Sequence, residues 1–276
     1  MWTAMVWNTN WNQNIQAAKD AYIQDVLQRY SVDVALLNEA RISLLTKWQK
    51  AHPGAVLFNA GGTVGRDYTR KVYSAAVYSK HGPVEIRDAM AKSLRGRRPK
   101  IDFAQANSRP GSWIAATVLS GRGPVSCISL YGFCDELGDA SMHRSLSEVS
   151  PIFSDPDYCE HVLLGGDFNT FTGHALPGHA ERDRITLERI EAYGLVDCLA
   201  ERAKGPLKGC PCQKLSGRPC RHTLTRLIPG DDTPYQEDYL FASRTLAGTL
   251  DECFALEPEE WRSFSDHAPI IGTFKL

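Results

Sequence analysis

Polar residues in this sequence stand repeatedly at the ends of apolar runs. Asn8 closes the run Thr3–Trp7, Glu39 follows Leu36-Leu37-Asn38, and Tyr131 closes Val125–Leu130. Asp167 and Asn169 follow Val162-Leu163-Leu164-Gly165-Gly166, Asp238 opens Tyr239–Ala242, and Asp266-His267 precede Ala268–Phe274. In an α/β protein such positions face a cleft at the strand ends. Asp167 and Asn169 are two apart, so on extended backbone they share a side, and the two preceding glycines would leave room for a ligand near the main chain. An Asp/Asn turn that merely closes a strand explains the same segment equally well. Ser265-Asp266-His267 tips the balance, because an acid beside a histidine can combine a metal or water contact with a phosphate contact. Glu39 is either a charge that needs a partner at the end of a buried run or a side chain emerging into solvent.

A second constellation is Cys210-Pro211-Cys212 with Cys220-Arg221-His222, three thiols and an imidazole within thirteen residues. This is the donor set of a structural Cys₃His zinc site, although Cys-x-Cys is tighter than the usual Cys-x-x-Cys. The competing readings are a thiol-rich loop without metal, or a His222 packed near the strand-end residues. The surrounding Gly/Pro/Lys-rich stretch, 205–222, reads as an insert. Cys127, Cys159, Cys198 and Cys253 are expected in the core. A basic insert, Lys92 to Arg109, carries Arg95, Arg97, Arg98, Lys100 and Arg109 against a single acid, Asp102. It is a candidate phosphate-backbone contact, or else a solvated charged loop.

The elements that must position these residues follow from periodicity. Ile15, Ala18, Tyr22, Val26 and Tyr30 predict a helix, and Asp33–Leu37 a short buried strand after it. Val72–Tyr78, Trp113–Leu119 and Val125–Tyr131 predict strands, the last two joined by a Gly121-Arg122-Gly123-Pro124 hairpin. Trp113 is expected to face the core. Helices are predicted over Ser141–Phe153 and over Asp183–Tyr193, the second stopped by Gly194. His161–Leu164, Asp238–Ala242 and Ala268–Phe274 complete the strands. With no repeat or low-complexity linker, one domain spanning 1–276 is expected.

In order and spacing, Trp7-Asn8, Asn38-Glu39, Leu130-Tyr131-Gly132, Gly166-Asp167-Phe168-Asn169, Asp238-Tyr239 and Ser265-Asp266-His267 resemble the endonuclease/exonuclease/phosphatase superfamily, the fold of deoxyribonuclease I. The resemblance covers nearly the whole chain. It implies a two-sheet α/β sandwich with helices on the outer faces and a metal-assisted attack of water on a phosphate ester. It further implies Glu39 as the main Mg²⁺ or Mn²⁺ ligand, with Asn8 and Asp266 completing or orienting that shell. Asp167 would deprotonate the water, Asn169 position it or the phosphate, and His267 donate to a non-bridging oxygen, supported by Asp238. Tyr131 would contact the phosphate. Asn38 stands where many relatives carry Gln, and the segment after Tyr131 lacks a clear family pattern.

Composition bounds the rest. A 43% hydrophobic fraction is ordinary for a globular core, and a formal net charge of -1 provides no global field for a polyanion. Nucleic acid would therefore be held by a local patch. Met1–Trp7 has no basic stretch or small-residue cleavage site, and no run approaches the ~20 apolar residues of a membrane span. A reducing cytoplasm is the expected setting, where clustered thiols suggest metal before disulfide. The leading expectation is a nuclease acting on DNA or RNA. The alternatives are a phosphatase or phosphodiesterase for a phosphoinositide or other small phosphate ester, and a non-catalytic binding module that uses the zinc loop.

Overall fold

Along the chain the strands are β1 (Trp2–Asn8), β2 (Val34–Arg41), β3 (Val56–Phe58), β4 (Thr63–Val64), β5 (Lys71–Ser79), β6 (Trp113–Ser120), β7 (Gly123–Leu130), β8 (Val162–Asp167), β9 (Leu195–Asp197), β10 (Asp238–Ser243), β11 (Leu250–Ala255) and β12 (Ile270–Phe274). The longer helices are α1 (Gln16–Arg29), α2 (Ile42–Ala51), α3 (Ala140–Ser154) and α4 (Pro177–Ala192). They are seen in a computed structural model that describes residues 1–10, 15–59, 63–64, 71–82, 111–133, 140–156, 158–173, 177–214, 220–231 and 233–276. One sheet has seven strands in the order β11-β12-β1-β2-β5-β3, with β4 on β5, and the other has the order β6-β7-β8-β10-β9.

The sheets pack face to face, which is why the apolar runs are continuous rather than alternating. Ala4, Val6, Val34 and Leu36 point inward against Cys127, Leu163 and Leu240 of the other sheet. Their neighbours Met5, Trp7, Ala35 and Leu37 point outward, under α1 and α2. Ile128, Leu130, Leu164 and Phe241 do the same under α3 and α4. The expected sandwich with helices on its outer faces is therefore the fold. Among the described residues no helix is long and apolar enough to cross a membrane.

Several boundaries move. The helix expected from Ile15 starts at Gln16, and its buried stripe is Lys19, Tyr22, Ile23, Val26 and Leu27, while Ile15 is exposed. The strand expected to end at Leu37 runs on to Arg41 and leads straight into α2, with a register shift against β5 between Leu37 and Ala40. The helix at Asp183 begins earlier, at Pro177. The cysteines 127, 198 and 253 are buried as expected, whereas Cys159 is half-buried. Trp113 is fully buried.

Gly165 and Gly166 have a different purpose from the one expected. A Cβ at Gly165 would collide with Val6 of the facing sheet, and one at Gly166 would fall on the Leu130 carbonyl. Gly166 also has φ 152°, a value that favours glycine. The room they leave is filled by protein, letting the two sheets approach where their strand ends converge.

Candidate functional site

Strand pairing gathers the expected residues at one edge. Asn8 at the end of β1 is in register with Asn38 on β2, and Asp167 at the end of β8 with Asp238 at the start of β10. The Ser265-Asp266-His267 segment is pinned to β1: Ser265 Oγ donates to the Asn8 carbonyl at 2.9 Å, and Trp7 Nε1 donates to the His267 carbonyl at 2.9 Å. Asn8, Glu39, Tyr131, Asp167, Asn169, Asp238, Asp266 and His267 form one cluster.

Glu39 reaches it through the bulge in β2, and its φ of 46° is left-handed. For a non-glycine residue that conformation costs roughly 1–2 kcal/mol, so the side chain is aimed at some expense. Asn8 Nδ2 donates to Asp167 Oδ2 at 2.8 Å and to Glu39 Oε1 at 3.3 Å. The amide nitrogen thus bridges two carboxylates that would otherwise repel. Asp266 Oδ1 accepts from Asn10 Nδ2 at 2.6 Å.

Asp167 and Asn169 do share a side, but not through extended backbone. Asp167 Oδ1 accepts from the Asn169 N–H at 2.9 Å, an Asx turn, and Asn169 has φ 47°. The turn and the site are therefore the same object. Asn169 Nδ2 donates to the Gly132 carbonyl at 2.8 Å and contacts Asp167 Oδ2 at 3.3 Å.

His267 lies among three carboxylates. Its Nδ1 is 2.8 Å from Asp238 Oδ2, and its Nε2 is 3.8 Å from Asp167 and 3.9 Å from Asp266. Burial works against a charged ring, but Asp238 first, then Asp167 and Asp266, outweigh it and raise the His267 pKa to about 10. Burial pushes Asp167 up to about 8, against the opposing pull of His267. Burial also opposes ionisation of Asp266, yet His267, Asn10 and Arg226 hold its pKa below the usual carboxylate range. The Tyr131 phenol is held well above its ordinary pKa by burial and by Glu39 and Asp167.

Two cations here were not anticipated. Lys19, fully buried on α1, donates to the Asn10 carbonyl at 2.6 Å and to the Thr9 carbonyl, and burial lowers its pKa to about 8 against the pull of Glu39. A lysine on the core-facing stripe of a helix is the signal that could have found it. Arg226 pairs with Glu237 and lies 3.6 Å from Asp266. It sits in a bridge to His267 that only the tertiary fold creates.

The donor set suits a hard divalent cation. Glu39, Asp167 and Asp266 offer carboxylate oxygens, the donors such ions take, and the buried or half-buried acids Glu39, Asp167, Glu237, Asp238 and Asp266 outnumber the Lys19, Arg226 and His267 cations beside them. Asn8 turns its nitrogen, not its oxygen, toward Glu39, so in this arrangement it orients that carboxylate.

Cys210, Cys212, Cys220 and His222 form a separate cluster against Phe171. Arg95, Arg97, Arg98, Lys100 and Arg109 lie outside the described residues.

A model of the Endonuclease/Exonuclease/phosphatase family matches residues 5–267. No curated protein sequence matches the chain. Among solved structures, a Neisseria 3′ phosphatase bound to a product DNA hairpin is 18% identical with a TM-score of 0.64, covering 100% of both chains. An AP endonuclease from Archaeoglobus fulgidus is 16% identical, TM-score 0.62, also over 100% of both. A mannosyl-6-phosphatase from Bacteroides thetaiotaomicron is 15% identical, TM-score 0.58, again over 100% of both. At these identities the likeness concerns the fold.

Proposed function

Because this chain belongs to the endonuclease/exonuclease/phosphatase family, we propose that it is a divalent-metal-dependent phosphoesterase acting on nucleic acid. The observation that carries the reading is His267 held by Asp238 on Nδ1, with its Nε2 turned toward Asp167. That arrangement keeps a proton donor beside a carboxylate whose pKa lies near neutrality, as proton transfer in hydrolysis requires.

Asp167 accepts the proton of the attacking water, and Asn169, tied to Gly132 and Asp167, positions that water or the phosphate. His267 donates from Nε2 to a non-bridging oxygen as charge accumulates there. Asp238 fixes the ring by accepting from Nδ1 and favours its protonated form. Tyr131, whose buried phenol lies beside Glu39 and Asp167, contacts the phosphate in this reading. A divalent cation held by Glu39, with Asp266 beside it and Asn8 orienting Glu39, would neutralise phosphoryl oxygens and stabilise the leaving oxygen.

Support for nucleic acid comes from the DNA-bound Neisseria neighbour and from the basic 92–109 insert. A small phosphate ester is the second reading, favoured by the near-neutral chain and the likeness to a mannosyl-6-phosphatase. Turnover with Mg²⁺ or Mn²⁺ on single- and double-stranded DNA, RNA, an inositol phosphate and a sugar phosphate separates them. Hydrolysis confined to the last two would overturn the nucleic-acid assignment, and none on any substrate would overturn the phosphoesterase.

A further inference from the structure

We infer that Cys210, Cys212, Cys220 and His222 bind a structural zinc ion that clamps the 205–222 segment onto the turn following β8. The inference stands independently of the reading of the carboxylate site. Cys210 Sγ lies 3.2 Å from Cys212 Sγ and 3.2 Å from His222 Nδ1, and Cys220 Sγ is 3.5 Å from the same nitrogen. One atom from each of the four side chains falls within 4.8 Å of the others. Zinc–sulfur bonds of about 2.3 Å in a tetrahedron place sulfurs roughly 3.8 Å apart, so the cluster has only to open by about half an ångström. All three cysteines are buried. A disulfide would pair two of the thiols and strand the third beside the imidazole, and it needs a separation of about 2.05 Å.

The clamp is carried by the other ring nitrogen. His222 Nε2 is 2.7 Å from Thr172 Oγ1. With Nδ1 on the metal, Nε2 carries the hydrogen and donates it to Thr172, the outer contact that orients a ligating histidine. Phe171 packs edge-on to His222 at 5.1 Å and to Tyr235 at 5.4 Å, and its N–H donates to Asp183 Oδ2 at 2.9 Å. Thr172 stands three residues beyond Asn169, so the zinc bears on the turn that shapes the carboxylate site. Residues 205–214 and 220–222 carry few apolar side chains of their own, so the metal would hold them in place, and its binding releases the three thiol protons.

Full-length protein purified without chelator should contain about one zinc per chain. The zinc should persist in Glu39→Gln and Asp167→Asn and disappear in Cys212→Ser. Cobalt reconstitution should show the thiolate-to-metal charge-transfer band of a tetrahedral sulfur-rich site. Thr172→Val keeps the ring's surroundings but removes its acceptor, and should weaken zinc about 10–100-fold in competition with a chromogenic chelator. Zinc near zero, a disulfide found by mass, or zinc lost in Glu39→Gln would each overturn the site. Unchanged affinity in Thr172→Val would overturn the clamp.

Discussion

Asn38 Oδ1 accepts the backbone N–H of Asp167 at 2.7 Å, so an amide on one sheet holds the strand end of the other. Its Nδ2 donates to Ser129 Oγ at 3.0 Å, and Ser129 Oγ donates to the Leu37 carbonyl at 2.8 Å. The network is fully buried and lies beneath the proposed base. Asn38→Ala should therefore lower unfolding free energy by about 1–3 kcal/mol for the unsatisfied donor it leaves, and lower kcat with it. Denaturant titration checks this, and an unchanged midpoint would contradict it.

The pH dependence follows from two protons. Asp167 must be ionised to accept one, so the active fraction rises as pH climbs toward about 8. His267 must keep one, so activity falls as pH passes about 10. A bound cation favours the carboxylate and shifts the first limb down, leaving the order intact. Asp238→Asn should bring the alkaline limb to lower pH, because it removes the strongest charge that raises the His267 pKa. A kcat/KM profile that falls steadily from about pH 6 to 9 would contradict the assignment.

The same shift bears on stability. An unfolded chain releases the His267 proton near its ordinary value of 6.5, while the folded protein holds it to about 10. Its contribution is thus complete below 6.5 and is lost as pH rises through about 10. Thermal denaturation across this range should show a steeper alkaline decline for the parent protein than for Asp238→Asn. Parallel curves would count against it.

Glu39→Gln should weaken metal rather than abolish the chemistry. The Mg²⁺ concentration for half-maximal rate should rise at least about 10-fold, the loss that even an outer contact to a metal produces, with partial recovery in excess Mn²⁺. Unaltered metal dependence would remove Glu39 from the ligand set.

If nucleic acid is bound through the basic insert, replacing Arg95, Arg97 and Arg98 with Ala should flatten the salt dependence of binding. Each lost phosphate contact should reduce the slope of log K against log salt by about 0.7–0.9. An identical slope would leave the insert a solvated surface and move weight to a small phosphate ester.

What could be read in the chain was local. Apolar runs and the polar residues closing them marked which side chains could meet, and the sandwich was implied by the family resemblance that those motifs carry. Whatever depended on distant partners was hidden. Asn38 passed as a minor departure because Asp167, whose N–H it holds, lies 129 residues away. Gly165 and Gly166 suggested a ligand's space because the residues that fill it, Val6 of the facing sheet and Leu130 of the neighbouring strand, are remote in sequence. Helix α2 follows β2 without any turn signal, and Arg226 has no periodic context. His222, which could have turned either way, takes the cysteine side.

Asp167→Asn is the most direct test, because the exchange removes the base and keeps its shape. In a single-turnover assay with saturating Mn²⁺ on the best substrate, the account predicts loss of most of the rate, with substrate binding retained. His267→Ala should lose about 10²–10³ or more in the same assay. The thermal midpoint of Asp167→Asn should fall modestly, because the amide nitrogen that replaces Oδ2 leaves Asn8 Nδ2 without its buried acceptor, while the loss of a charge that burial disfavours offsets part of that cost. A variant that folds, binds metal and turns over at the parent rate would contradict the central claim.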